Sequence, residues 1–390
     1  MTPTKVGNVL NWASELDDNA LEQAQRAAAL PFVRGHLALM PDAHWGMGAT
    51  IGSVIPTDGA IIPAAVGVDI GCGMIAAELP FGADALPDSL DPLLDEIAQV
   101  VPAGVGQGHD DRDGPADVGR TIGWPTVTEL TVKQQKKAVN QFGTLGSGNH
   151  FVEVCLDERD QVWVVLHSGS RGIGNQLAKV HIDGAKRHMK QWFIDLPDPD
   201  LAYLVEGTVD FDAYIDAMLW AQRYARANRE QMLDAVLARL WAAVGREGAP
   251  EERQRINCHH NFTEREHQHG RNLWITRKGA IRARIGDLGV IPGSMGAASF
   301  IVEGLGNPAS YESCSHGAGR RLSRGEARRT LDVATLRTEM GDRSWLDGHA
   351  EQLLDEDPRA YKDIDQVMDD QKDLVRVVHR LRQVLNYKGL

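Results

Sequence analysis

Asp69 and Cys72 stand three residues apart on a glycine turn, Val66-Gly67-Val68-Asp69-Ile70-Gly71-Cys72-Gly73-Met74, behind the apolar run Ile61-Ile62-Pro63-Ala64-Ala65-Val66. No other feature constrains the fold as tightly. The run reads as a buried strand or the approach to one, and glycine lets backbone turn sharply and come close to another group. A carboxylate and a thiol delivered this way suit a transition metal, and one thiolate can bridge two. A capped turn with a small buried cysteine is the plainer alternative, and this stretch fits both.

The same style recurs along the chain. Its 390 residues include 40 glycines, against a usual frequency of about 7%. They form no low-complexity tract and gather around His, Asp, Asn and Ser. Pro41-Asp42-Ala43-His44-Trp45-Gly46 comes first. Gly143-Thr144-Leu145-Gly146-Ser147-Gly148-Asn149-His150 precedes the strand-like Phe151-Val152-Glu153-Val154. Leu166-His167-Ser168-Gly169-Ser170-Arg171-Gly172, Ile256-Asn257-Cys258-His259-His260-Asn261 and Cys314-Ser315-His316-Gly317-Ala318-Gly319-Arg320 follow. One His beside Gly is usually a hydrogen-bonded structural residue. Four such turns, with Asp69 and Cys72, supply enough N, O and S ligands for one or two metals. Manganese favours carboxylate and imidazole, while zinc and iron also accept thiolate. His267 and His269 lie in a charged run and read as solvated surface; His109 lies in a loop and is set aside. Arg171, Arg320 and Arg324 follow glycine turns, where backbone N–H groups and a guanidinium suit phosphate; ordinary surface arginine is the alternative. No GxxxxGK[ST] occurs, so a Walker loop is excluded.

The net charge of −13 gives no global pull toward nucleic acid, so an RNA or DNA substrate needs a local basic patch. Cys72, Cys155, Cys258 and Cys314 form no CxxC and suggest neither a zinc ribbon nor a disulfide scaffold. The N-terminal segment is polar and acidic, and no apolar run approaches the roughly 18 residues that span a membrane. These features predict a cytoplasmic protein with reduced thiols.

The hydrophobic pattern predicts helices near Leu21–Leu30, over 88–101, from Gly174 to Phe193, over 210–244 and over 366–384. Ile215, Met218, Leu219, Met232, Leu233, Val236, Leu237, Leu240 and Val244 form a core stripe on the long helical segment at about 174–244. Strands and glycine loops are expected over 41–80 and 272–304, and a strand over 161–167. Residues 104–130, with Pro115 and Pro125, read as a variable loop. With motifs in both halves and no clean linker, residues 1–390 are expected to form one domain.

VGVDIGCGM, GSGNHF, LHSGSRGIGN, INCHHN, IPGSMGA and CSHGAGR, in this order, resemble the RtcB family of GTP- and manganese-dependent RNA ligases, also called tRNA-splicing ligases. The resemblance runs from about His36 to Lys388-Gly389. It implies an α+β fold, a single large mixed domain with mixed β-sheets flanked by helices. It also implies an enzyme that joins RNA 3′-phosphate or 2′,3′-cyclic phosphate ends to 5′-hydroxyl ends, in tRNA splicing or RNA repair. The reaction runs through a guanylyl-histidine and a 3′-guanylylated RNA.

Carried over motif by motif, the resemblance makes His316 the nucleophile. Asp69, Cys72, His150, His167 and His260 become the ligands of two manganese ions, with Cys72 bridging. Asn149, Glu153, Asn261, Pro292, Ser294, Met295, Gly317, Ala318, Gly319, Tyr361 and Lys388 fall where the family contacts the guanylate. Arg171, Arg320 and Arg324 fall where it holds RNA phosphate. Gly67, Gly71 and Gly73 are then expected to make room for two cations and a triphosphate. A helper protein for guanylylation is compatible with this reading. The chain departs from relatives at Met47, in a short segment 104–140 with few Lys or Arg, and in its final Leu390. A metal-dependent cyclic phosphodiesterase or hydrolase, and a non-catalytic RNA-binding partner, are the alternatives. The retained His316 with its Gly-Ala-Gly-Arg surround argues against the first, and the complete ligand set against the second.

Overall fold

The computed structural model describes residues 2–109 and 118–390. Helix and strand are mixed, as expected. Two sheets organise the described residues. The larger runs Gln254–His259, Gly73–Gly82, Gln161–Ser168, Phe151–Leu156, Val375–Lys388, Ser299–Gly304 and Leu288–Ile291, with Ser344–Trp345 added in parallel beside Val375–Lys388. The other runs Thr4–Val6, Val9–Asn11, Leu37–His44, Ile51–Thr57, Arg271–Lys278 and Asn261–Gln268. Pairing is antiparallel except for Val9–Asn11 on Leu37–His44 and the Ser344 pair. The central strands are β-branched runs buried on both faces, such as Val162 to Leu166; a sheet covered on both sides demands that composition.

The sheet ends carry the motif turns. Gly73, just past Cys72, pairs with His259 and Ser168, and Phe151, just past His150, pairs with His167. Four chain segments that are distant in sequence are therefore set side by side at one end of the sheet, about 4.8 Å per strand.

The helix Val209–Ala243 lies over this sheet, with Trp220, Tyr224, Met232 and Leu233 in the core and Arg223, Arg226 and Arg239 exposed. Most of the predicted stripe packs inward, but Leu219 is exposed. The helical segment at 174–244 is two helices, Arg171–Gln191 and Val209–Ala243, separated by a turn region that includes the short strand Leu204–Val205. Helices also form at Asp18–Ala28 and Asp91–Val100. Within the segment read as a variable loop, Val118–Ile122 is helical, and Val132–Gln141 follows it as a second helix; Pro115 lies outside the described residues.

One prediction fails outright. Residues 366–384 are not a helix: Ile364–Asp370 is a short helix and Val375–Lys388 a long strand. Val375, Val378, Leu381 and Val384 are spaced by three, which mimics a helical stripe. Register shifts near Val377 and between Gln383 and Leu385 are the physical cause. Each bulge adds a residue and inverts the parity of the strand.

Candidate active site

Four strand-end turns bring the predicted ligands together. Cys72 Sγ lies 3.4 Å from His150 Nε2 and 3.2 Å from His167 Nε2. His167 Nε2 is 3.3 Å from His260 Nε2, and His150 Nε2 is 3.2 Å from Asp69 Oδ2. Two ligand groups result, Cys72–His167–His260 and Asp69–Cys72–His150, with Cys72 common to both.

The outer atoms fix which nitrogen faces inward. His150 Nδ1–H donates to the Leu145 carbonyl at 2.9 Å, and His167 Nδ1–H to the Asn149 carbonyl at 3.1 Å. Each Nε2 thus faces the thiol, the usual orientation of a metal-bound imidazole. Burial holds His167 and His260 well below the ordinary imidazole range, so both are neutral. Burial and the Asp69 carboxylate push the Cys72 thiol well up. Burial also opposes ionisation of Asp69, but the hydrogen bond and charge of His150 hold its carboxyl down at about 2. A thiol placed this way ionises when a cation joins it, so the donor set fits a pair of transition metals.

His316 stands next to this group. Its ring packs edge-on against His260, with centroids 4.8 Å apart. Asp42, completely buried, accepts from His316 Nδ1–H at 2.5 Å, from the His316 backbone N–H at 3.0 Å and from the Gly317 N–H at 3.2 Å. Burial opposes the Asp42 carboxylate, yet the charge and hydrogen bonds of His316 hold its pKa below the ordinary value. With Nδ1 committed, Nε2 is the nitrogen left for chemistry. The sequence motif contained Asp42 without assigning it this role.

Asp69, Cys72, His167, His260 and His316 border a cavity of about 610 Å³. Asn149, Glu153, Asn261, Pro292, Ser294, Gly317, Ala318, Gly319, Tyr361, Lys388, Arg320 and Arg324 all line it. Glu153 is buried, accepts from Asn386 Nδ2 at 2.7 Å and is pushed up to about 8 by burial, against the pull of Lys388. Lys388 Nζ pairs with Glu356 at 2.8 Å, which also accepts from the Tyr361 hydroxyl at 2.8 Å. Arg320 donates to Tyr361 at 2.9 Å, and Arg324 lies 3.5 Å from Asp355. Glu356 therefore joins three predicted contacts into one network, and no sequence signal marked it.

Two predicted contacts sit elsewhere. Met295 is buried against Leu336 and Met340 rather than in the cavity wall, because an unbranched apolar side chain fills the gap behind the Ser294 turn. Arg171 lies behind the ligands, 3.3 Å from His150 Nδ1 and 3.4 Å from Thr144 Oγ1. It packs flat on Gly146, where a Cβ would come within 2.0 Å of the guanidinium. The glycines of the Asp69 turn also divide. Gly67 faces the cavity, whereas a Cβ on Gly71 would strike Gln222 and one on Gly73 the Cys258 carbonyl, at 2.1 Å. Gly71 and Gly73 thus serve packing, not room for ions.

Sequence reasoning also missed Arg229 and Asn228, hidden inside what read as an apolar helix. Arg229 donates to the carbonyls of Gly71 at 2.8 Å and Ser168 at 3.0 Å; Asn228 accepts from the Gly143 N–H at 2.7 Å. Together they clamp three motif turns. His259 bonds the Gly71 carbonyl at 2.8 Å, so the first His of the pair is structural. His267 and His269 are exposed on a hairpin, as expected, and His109 bonds the Gly143 carbonyl at 3.2 Å. Far from being poor in cations, the segment 104–140 carries Lys133 and Lys137 close to Lys179; burial and both neighbours hold Lys137 below its ordinary range.

A sequence profile of the family described as tRNA-splicing ligase RtcB matches residues 23–389. The chain belongs to the RtcB family. It is 46% identical to the RNA-splicing ligase RtcB of Escherichia coli K12, over 96% of this chain and 95% of that protein. It is 31% identical to the tRNA-splicing ligase RtcB of Nanoarchaeum equitans (96% and 92% covered) and to the RNA-splicing ligase RtcB of Mycobacterium tuberculosis (94% and 100%). RtcB membership accounts for the order of the six motifs, and the cavity gathers nearly all of them. No helix among the described residues is long and apolar enough to cross a membrane.

Proposed function

We propose that this chain is a GTP- and manganese-dependent RNA ligase that joins RNA 3′-phosphate or 2′,3′-cyclic phosphate ends to 5′-hydroxyl ends. The observation that carries this reading is His316, held at Nδ1 by a buried carboxylate and set beside two ligand groups that share Cys72. Neutral imidazole is a competent nucleophile toward phosphorus, and a phosphoramidate passes its phosphoryl group onward readily.

His316 Nε2 attacks the α-phosphorus of GTP. The N–P bond forms as the bond to the bridging oxygen breaks, and pyrophosphate leaves. Asp42 keeps Nδ1 protonated, orients the ring and stabilises the cation formed on attack, the role a buried carboxylate plays toward a catalytic histidine. An oxygen of the RNA 3′-phosphate then takes the guanylyl group and frees His316. The 5′-hydroxyl oxygen finally attacks the 3′-phosphorus and expels GMP. A cyclic end is first opened by water to the 3′-phosphate. Asp69, Cys72, His150, His167 and His260 would hold the manganese ions. Bound there, the ions supply charge neutralisation for the triphosphate and help align it. Glu153 and Lys388 present an acceptor and a donor that match the guanine edge; a site built on such bonds rejects bases that lack the partners. RNA of this end chemistry is the partner, with spliced transfer RNA or broken RNA as its source.

The test is covalent labelling with GTP radioactive at the α-phosphate, in manganese. The wild-type protein takes an acid-labile, alkali-stable label and the His316→Ala variant takes none. An unlabelled wild-type protein with full metal content sinks the ligase reading and promotes the hydrolase.

A further inference from the structure

The cavity of about 610 Å³ has walls of two kinds. One set of its walls is the network of Glu153, Glu356, Tyr361 and Lys388. A second set makes no hydrogen bond to that network: Met47, Ala64 and Val68 with Lys179, Ile182 and Lys186 of the helix Arg171–Gln191.

The second set has a mixed character. Met47 is 71% exposed although apolar, and Ala64, Val68 and Ile182 extend the apolar surface. The charged groups on this side are Lys179, Lys186 and Lys278 against Asp183 and Asp200, an excess of one cation in a chain of net charge −13. Lys186 pairs with Asp200 at 2.5 Å. Lys179 is exposed and forms no ion pair among the described residues, with Asp183 one turn on along the same helix and Lys137 close by. The wall is fixed before any ligand arrives. Buried Lys278 donates to the carbonyls of Met47 and Ala64, and Gln23 Nε2 donates to the Gly46 carbonyl at 2.6 Å. A rigid loop that presents an exposed methionine beside an unpaired ammonium loses little entropy on binding.

We propose that these walls seat the terminal nucleotide of an RNA strand, its base on Met47 and Ile182 and its backbone phosphate on Lys179. The proposal rests on the ligase reading for the presence of RNA, and on the cavity for the place. Apolar contact to a base face tolerates any sequence, and a phosphate contact releases counterions, so it weakens with salt. A ligase acting on broken RNA of many sequences needs both properties.

The experiment uses Lys179→Glu and Met47→Asp, both at exposed positions where folding is little affected. Binding of a fluorescein-labelled RNA with a 5′-hydroxyl end is measured by anisotropy in manganese from 50 to 300 mM salt, beside covalent labelling by GTP. Both variants are expected to take label from GTP like the wild type and to bind RNA at least tenfold more weakly at low salt. For Lys179→Glu the defect shrinks as salt rises; for Met47→Asp part of it persists at 300 mM. Wild-type RNA affinity in both labelled variants overturns the seat for the terminal nucleotide and leaves the ligase reading standing. Absence of label on the wild-type protein refutes guanylylation instead.

Discussion

Replacing Glu153 by Gln tests the electrostatics of the cavity directly. Burial raises the Glu153 carboxyl from its ordinary 4.5 to about 8, while Lys388 and the Asn386 amide pull the other way. A carboxyl whose folded pKa is raised stabilises the fold below pH 4.5, where it is neutral in both states. That advantage is lost as pH climbs toward 8, since the unfolded chain ionises first. The gap sets an upper bound of about 5 kcal/mol between pH 4.5 and pH 8, at 1.36 kcal/mol per pH unit. Gln keeps the shape and the acceptor for Asn386 but does not ionise. Urea midpoints of both proteins, without nucleotide, from pH 4.5 to 9 measure the effect. The difference between them isolates Glu153, because Lys278 and His44, which burial also shifts, titrate alike in both. The variant should gain steadily on the wild type above pH 5, by about 2 kcal/mol or more at pH 8. A pH-independent difference, or a wild type that gains on the variant as pH rises, refutes the argument.

Three further outcomes follow from the same geometry. Asp42→Asn removes a charge-assisted hydrogen bond from His316, typically about 1.5–3 kcal/mol, so the rate of labelling from GTP should fall roughly tenfold to 150-fold; an undiminished rate means that Asp42 does not orient the ring. Cys72→Ala strips the ligand common to both groups, and bound manganese measured by atomic emission should drop for both ions, not one; full occupancy removes Cys72 from the ligand set. Glu356→Gln loosens Lys388 and Tyr361 together, which should lower the preference for GTP over ATP more than it lowers the rate of labelling with GTP; an unchanged preference disconnects Glu356 from the base.

Local chemistry made much of this protein legible in its sequence. Asp69, Cys72, His150, His167, His260 and His316 could be singled out because each follows or precedes a strand-like run on a glycine turn. Such turns appear in sequence as residue types at short range. Mixed secondary structure and the Gln161–Ser168 strand were readable for the same reason. Contacts that span the chain were not. Asp42 meets His316 across 274 residues, and Glu356 meets Lys388 only because the last strand ends beside Phe151 at the cavity. Val375–Lys388 itself passed for a helix, since two bulges hid its alternation. Arg229 was buried under an apolar stripe because only the packed helix shows which backbone carbonyls lie within its reach. The sequence therefore determined which atoms are available for chemistry. Tertiary structure decided which nitrogen of each histidine faces inward, which acids hold which bases, and how wide the cavity is. Those properties depend on distances of a few ångströms between segments that share no local rule.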